Sequence, residues 1–300
     1  MMSTIKGIIG APLTPFTEDN RLDGPKLQKL VDFLIRHGVH AIGLPMHAGE
    51  SLSLSIEERR ELARLAVEAA AGRVPVFMHT SLPGTDEVVA LSRHAQSVGA
   101  QGVIVITPYY WNPPREALLE HFVTIASSLD ISVLGYNSPH HLGVTITPDL
   151  LKELIERCPN FIGLKDASFD MQYFTEACLV TGEARPGFAM FTGIEYLLPS
   201  MPVGGVGAFS SFLAPRLVRA LYDACAAKDY ERAKPLQYKL CRLRNAIKVG
   251  AATVKAAMEI MGRPMGPPRK PLMPISSAAM KQMEEQLKKL GILSEEPHGW

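Results

Sequence analysis

One pattern constrains this chain more than any other: short apolar runs alternate with longer stretches of helical spacing, from near the start to beyond residue 220. The runs are GIIGA (7–11), HAIGL (40–44), VPVFM (74–78), GVIVIT (102–107), ISVLGY (131–136), FIGLK (161–165), FAMFT (188–192) and GVGAF (205–209). A near-continuous apolar run suits a strand covered on both faces, as strands of parallel sheets are. Between the runs lie amphipathic segments. Residues 24–37 place Leu27, Leu30, Val31 and Leu34 on one face and stop at Gly38. Ser55 and Glu58 form a capping-box pair ahead of a helix ending near Gly72, and Thr147 with Pro148 opens one that runs to about Arg157. Further helices are predicted near 86–98, 115–128 and 215–227.

Eight apolar runs, most of them followed by a helical segment, predict an α/β chain folded as a (β/α)8 TIM barrel. An open doubly wound sheet is the weaker choice, because it carries fewer strands and a glycine-rich nucleotide loop after the first. The first loop here reads APLTPF. The barrel is assigned to residues 1–228. Residues 229–300 have helical composition and are read as a C-terminal α-helical extension packed on the barrel.

Composition narrows the function. Lysine and arginine number 31 against 30 aspartates and glutamates, so no charge excess draws the chain to nucleic acid or a membrane surface. The basic cluster at Arg242 and Arg244 reads as the solvated face of a helix. Cys158, Cys178, Cys225 and Cys241 are scattered with no C-x-x-C pair, which suits a reducing compartment and predicts a cytoplasmic protein. The opening MMSTIKGIIGAPLTPF is too short in apolar residues for a signal peptide, and no run long enough for a membrane span follows.

Barrels of this kind do their chemistry where strands end. Those positions hold His47, Gly49 and Glu50 in PMHAGES, Tyr109 and Tyr110 in TPYYWNPP, Tyr136 in YNSP, Lys165 in GLKDAS, then Thr192, Phe209 and Ser210. An isolated strand-end lysine is ordinarily a surface residue, and an isolated tyrosine is ordinarily packing. A lysine and two tyrosine sites on one rim suggest a Schiff base instead. Only about one free lysine in ~2,500 is neutral at pH 7, and an apolar mouth favours the neutral amine that attacks a carbonyl. Tyrosine hydroxyls can move the protons.

Four motifs in order, MHAGE (46–50), TPYY-x-x-P (107–113), YN-x-P (136–139) and GLKDAS (163–168), resemble the dihydrodipicolinate synthase / N-acetylneuraminate lyase family over about residues 5–225. The resemblance implies a Schiff-base class I aldolase that joins pyruvate or another 2-keto acid to an aldehyde, or cleaves the product, with no metal and no cofactor. It implies Lys165 as the covalent residue, Tyr136 as acid and base, and Tyr110 reaching a neighbouring subunit's site in a homotetramer built as a dimer of dimers. By the same resemblance Gly49 and Glu50 shape the loop whose N–H groups hold the keto acid's carboxylate, and Phe209 lines the pocket.

This sequence departs from the family pattern at several places. His47 and Ala48 replace two hydroxyl residues of the carboxylate loop, so His47 is a candidate acid/base and Ala48 a reduced carboxylate contact. His141 stands where the synthases carry a substrate-binding arginine, and a histidine lacks the always-charged fork. With Trp111 also expected in the pocket, the acceptor is predicted to be less charged than that of the true 4-hydroxy-tetrahydrodipicolinate synthase, which is the alternative. Other readings are a 2-keto-3-deoxy sugar acid dehydratase/aldolase or an aromatic hydratase-aldolase. A metal-dependent aldolase or hydrolase would use His47, His79 and His140 or His141 converging on one rim, although metal-ligand spacing is missing. A non-catalytic keto-acid sensor is the last.

Overall fold

Eight parallel strands form the centre of the molecule: β1 (Gly7–Gly10), β2 (Ala41–Leu44), β3 (Val76–His79), β4 (Gly102–Ile106), β5 (Ser132–Asn137), β6 (Phe161–Asp166), β7 (Ala189–Thr192) and β8 (Gly207–Ser210). The structure is a computed structural model that describes residues 5–248 and 250–300. Each strand pairs with its sequence neighbour and β8 returns to β1, closing the (β/α)8 barrel that the alternation predicts. The first residues of the stretch weighed as a leader, 1–4, lie outside the described residues. β3 begins later than the apolar run suggests, because Pro75 has no N–H to give to a ladder. At the closing seam a Cβ on Gly207 would collide with the Gly7 carbonyl oxygen, so only glycine lets β8 approach β1 there.

Alternation along the strands sorts side chains into two layers. Ile8, Val103, Val133, Met190 and Ala208 join the layer between barrel and helices, with Leu30, Phe122 and Leu150. Ile9, Ile104, Leu134, Phe191 and Phe209 belong to the cluster inside the barrel.

β6 breaks the alternation once. Val133 pairs with Phe161, yet Leu134 pairs with Gly163, so Ile162 is an inserted residue, a β-bulge. Phe161 and Leu164 both lie in the outer layer, while Ile162 packs on the inner one. Strict period two would put Lys165 on the outward face with Phe161. The bulge reverses this. Lys165 pairs in register with Tyr136, and both side chains enter the barrel mouth.

The helices follow sequence logic. Ser55 Oγ accepts from the Glu58 N–H (3.2 Å) while Glu58 accepts from the Ser55 N–H (2.9 Å), completing the capping box ahead of Ile56–Ala70. Thr147 caps Pro148–Arg157 through the Leu150 N–H. The helix Met171–Ala184 was not evident from spacing, because Met171 and Leu179 are exposed while Thr181 is buried, which blurs its apolar stripe. Beyond Pro215–Ala226 come Tyr230–Ile247, Ala251–Ile260, Ser277–Lys289 and Ile292–Glu295. They dock by specific bonds. Gln237 accepts from the Leu198 N–H (3.1 Å) and donates to the Glu195 carbonyl (2.8 Å), and the fully buried Arg263 donates to the Leu213 carbonyl (3.0 Å). Among the described residues no helix is long and apolar enough to cross a membrane.

Candidate active site

Lys165 is 4% exposed at the C-terminal end of β6. Its Nζ lies 3.7 Å from the Tyr136 ring centroid and 4.9 Å from that of Phe209, so ring faces are its charge-stabilising neighbours. The adjacent Asp166 is spent elsewhere. It accepts from Asn137 Nδ2 (2.8 Å), the Ser168 N–H (3.1 Å) and Ser168 Oγ (2.8 Å). Burial raises the Asp166 pKa and these bonds oppose the rise.

A cavity of about 290 Å³ opens at Lys165. Tyr136, His47, Ala48, His141 and Phe209 all line it, with Met46, Ser210, Glu195 and Arg244. His47 and Ala48 lie on a tight turn, His47–Gly49, after β2. The N–H groups of Gly49 and Glu50 are used within that turn, bonding the Met46 and His47 carbonyls (2.9 and 3.1 Å). Gly49 and Glu50 do not line the cavity; they hold the turn in shape. The Gly49 carbonyl accepts from Thr14 Oγ1 (2.6 Å). Glu50, at φ 57°, sends its carboxylate into the protein, 2.7 Å from Lys255 Nζ and 2.7 Å from the Arg269 N–H.

The histidines separate. The His47 and His141 rings stand 5.0 Å apart. Burial first, then His141 and Lys165, hold the His47 pKa below the usual imidazole value. His140 bonds the Ser168 carbonyl (2.7 Å). His79 is buried beside Arg59, and burial, Arg59 and Lys165 push its pKa well down. The three-histidine convergence considered from sequence therefore does not form. Among the described residues no group of three His, Cys, Asp or Glu side chains is placed to hold a metal ion.

Three further expectations are resolved by position. Arg244 is not part of a solvated face: it enters the cavity wall from Tyr230–Ile247 and pairs with Glu195 (2.8 Å), which also accepts from Ser210 Oγ (2.6 Å). Strand-end logic could not find it, since it comes from the C-terminal helices; Glu195, two residues past Gly193, was within reach of that logic. Trp111 is 65% exposed and lies outside the cavity. Tyr110 is 89% exposed, at φ 77°, with its ring edge-on to Trp111. Within one chain it does not meet Lys165.

An inward lysine on a tyrosine face thus stands at the mouth of this (β/α)8 barrel. Residues 4–290 match the model of the dihydrodipicolinate synthetase family. The chain belongs to that family. It is a lyase of aldolase type, as the members of the family are. A 4-hydroxy-tetrahydrodipicolinate synthase of Methanopyrus kandleri is 35% identical over 300 residues, covering 97% of this chain and 98% of the relative. One of Methanoculleus marisnigri is 38% identical over 290 residues, covering 94% and 98%. Among solved structures, the Escherichia coli K12 prophage protein YagE, a family member in complex with pyruvate, superposes with a TM-score of 0.93 at 31% identity, covering 97% of this chain and all of that one.

Proposed function

We propose that this lyase joins pyruvate, or a related 2-keto acid, to an aldehyde through a Schiff base on Lys165, and runs the reverse cleavage by the same route. The observation that carries the reading is the bulge-directed Lys165 amine against the Tyr136 ring, inside a cavity that also receives the turn of His47 and Ala48. Nζ attacks C2 of the keto acid, and the carbinolamine loses water to give the imine. Tyr136 moves the protons, and His47, which lines the same cavity, is the second candidate for that role. Loss of a proton from C3 gives an enamine, whose carbon attacks the aldehyde carbonyl. The new alkoxide takes up a proton, and hydrolysis frees a 4-hydroxy-2-keto acid and Lys165. Atoms balance without any change of oxidation state, so the scheme draws on no cofactor.

The solved pyruvate complex of YagE supports pyruvate as the donor. For the acceptor, His141 in place of an arginine supports a neutral-tailed aldehyde. The names of the relatives favour the synthase reaction, and Arg244 does return a guanidinium to the pocket, but Glu195 already neutralises it. We infer a homotetramer in which a partner covers Tyr110 and Trp111; their exposure supports this. The four unpaired cysteines support a cytoplasmic site of action.

Incubation with pyruvate and borohydride is expected to add the reduced adduct to the peptide holding Lys165, and Lys165→Arg to abolish it. An adduct on another lysine, or none with any 2-keto acid, removes the reading. On the same preparation, cleavage of a neutral-tailed 4-hydroxy-2-keto acid is expected to exceed condensation with aspartate semialdehyde by at least about tenfold in kcat/KM; the opposite order favours the synthase.

A further inference from the structure

We infer that the acceptor aldehyde carries a flat aromatic tail, and that Phe169 with a second cavity behind it holds that tail. The inference rests on the Schiff-base reading and adds the class of acceptor.

Phe169 follows GLKDAS at φ 59°, a left-handed backbone where a bulky side chain is an outlier and glycine is at ease. Strain of that kind persists where the surroundings enforce it, and it concentrates at ligand sites. Burial does not account for it here, since Phe169 is 52% exposed. The ring is nonetheless positioned. It lies parallel to the His140 ring (6.3 Å between centroids, 11°), and edge-on to Tyr196 (6.3 Å, 78°).

Phe169, Gly193 and Ile194 line the catalytic cavity and also line a neighbouring cavity of about 220 Å³. The two spaces therefore share a wall, and Phe169 is its aromatic part. Met171, Phe174 and Pro199 give the second cavity apolar surface. Both of its carboxylates and its threonine hydroxyl take part in hydrogen bonds within the protein. Asp166 accepts three bonds, Asp170 caps the helix Met171–Ala184 through the Gln172 and Tyr173 N–H groups, and Thr192 donates to the Ile194 carbonyl. In the catalytic cavity the Glu195–Arg244 pair is likewise satisfied internally. What remains is a slot lined by rings and apolar side chains, in which both carboxylates, Asp166 and Asp170, are engaged by N–H groups. An apolar cavity of about 150 Å³ accepts benzene, so this space has room for one substituted ring.

The test compares benzaldehyde with glyceraldehyde as acceptors for pyruvate. The expected result is a kcat/KM for benzaldehyde at least about tenfold higher. Phe169→Gly suits the backbone and removes the ring, so it should fold and should reduce that ratio about tenfold. Met171→Asp puts a charge into the second cavity at the first turn of a helix, where an acidic residue is favoured, and should lower the ratio in the same direction. Glyceraldehyde preferred by the wild type, or a ratio unmoved by either folded variant, overturns the inference. Borohydride trapping of pyruvate on the wild-type enzyme separates the cases: no adduct at Lys165 means that the Schiff-base reading has failed, whereas an adduct without aryl preference means that only the acceptor class is wrong.

Discussion

His121 shows how one buried ring ties stability to pH. It is 4% exposed in the helix Arg115–Ser127, with Nδ1 2.9 Å from Thr85 Oγ1 and Nε2 unpartnered, and burial pushes its pKa down to about 4. Between pH 6.5 and 4 the unfolded chain binds a proton here that the folded chain refuses, so folding weakens as pH falls through that window. The shift corresponds to a loss on the order of 3 kcal/mol at the acid end. Urea unfolding of wild type and His121→Gln across this range should show the variant gaining on the wild type as pH falls; parallel curves would mean that the ring is not held neutral. Residues of this kind differ in how plainly the sequence announces them. Lys165 and Tyr136 could be found because they end apolar runs. Arg244 could not, because nothing in Tyr230–Ile247 separates an arginine facing a barrel mouth from one facing water. Phe169 carries no such signal, because a phenylalanine says nothing about its own φ.

At the level of elements, β6 decides whether the site exists. Strand order and most helix starts were legible, since apolar runs and capping residues act locally. The bulge was not, since FIGLK reads the same with or without an inserted residue and only pairing with β5 reveals it. Gly163 permits that geometry. A Cβ there would stand 2.6 Å from the Ala189 carbonyl oxygen and 2.8 Å from Leu134. Gly163→Ala is therefore expected to destabilise the fold by roughly 1–3 kcal/mol, as overpacking does, and to slow borohydride trapping at 25 °C, where the protein remains folded. Unchanged melting and unchanged trapping together would show that β6 tolerates the methyl group and that its register is not set there.

Over the whole molecule, the inferred homotetramer gives Tyr110 a role that one barrel does not. Tyr110 stands outside its own cavity, so if it serves a site, that site belongs to a neighbouring copy. Mixing inactive Lys165→Ala with inactive Tyr110→Phe chains should restore activity, because a mixed pair contains one site with both groups intact. Mixed oligomers that form but stay inactive would place Tyr110 outside the reaction. The seam of glycines between β1 and β8 bears on how the barrel is made. Gly7 pairs with Gly207, so the strand synthesised first meets its second neighbour only after nearly 200 further residues have left the ribosome. At ~5–20 residues per second that wait is roughly 10–40 s. Throughout it β1 has an open edge able to pair with a strand from another nascent chain. The yield of active enzyme is therefore expected to fall when translation is slowed or ribosomes are crowded along the message, which activity per chain synthesised would show.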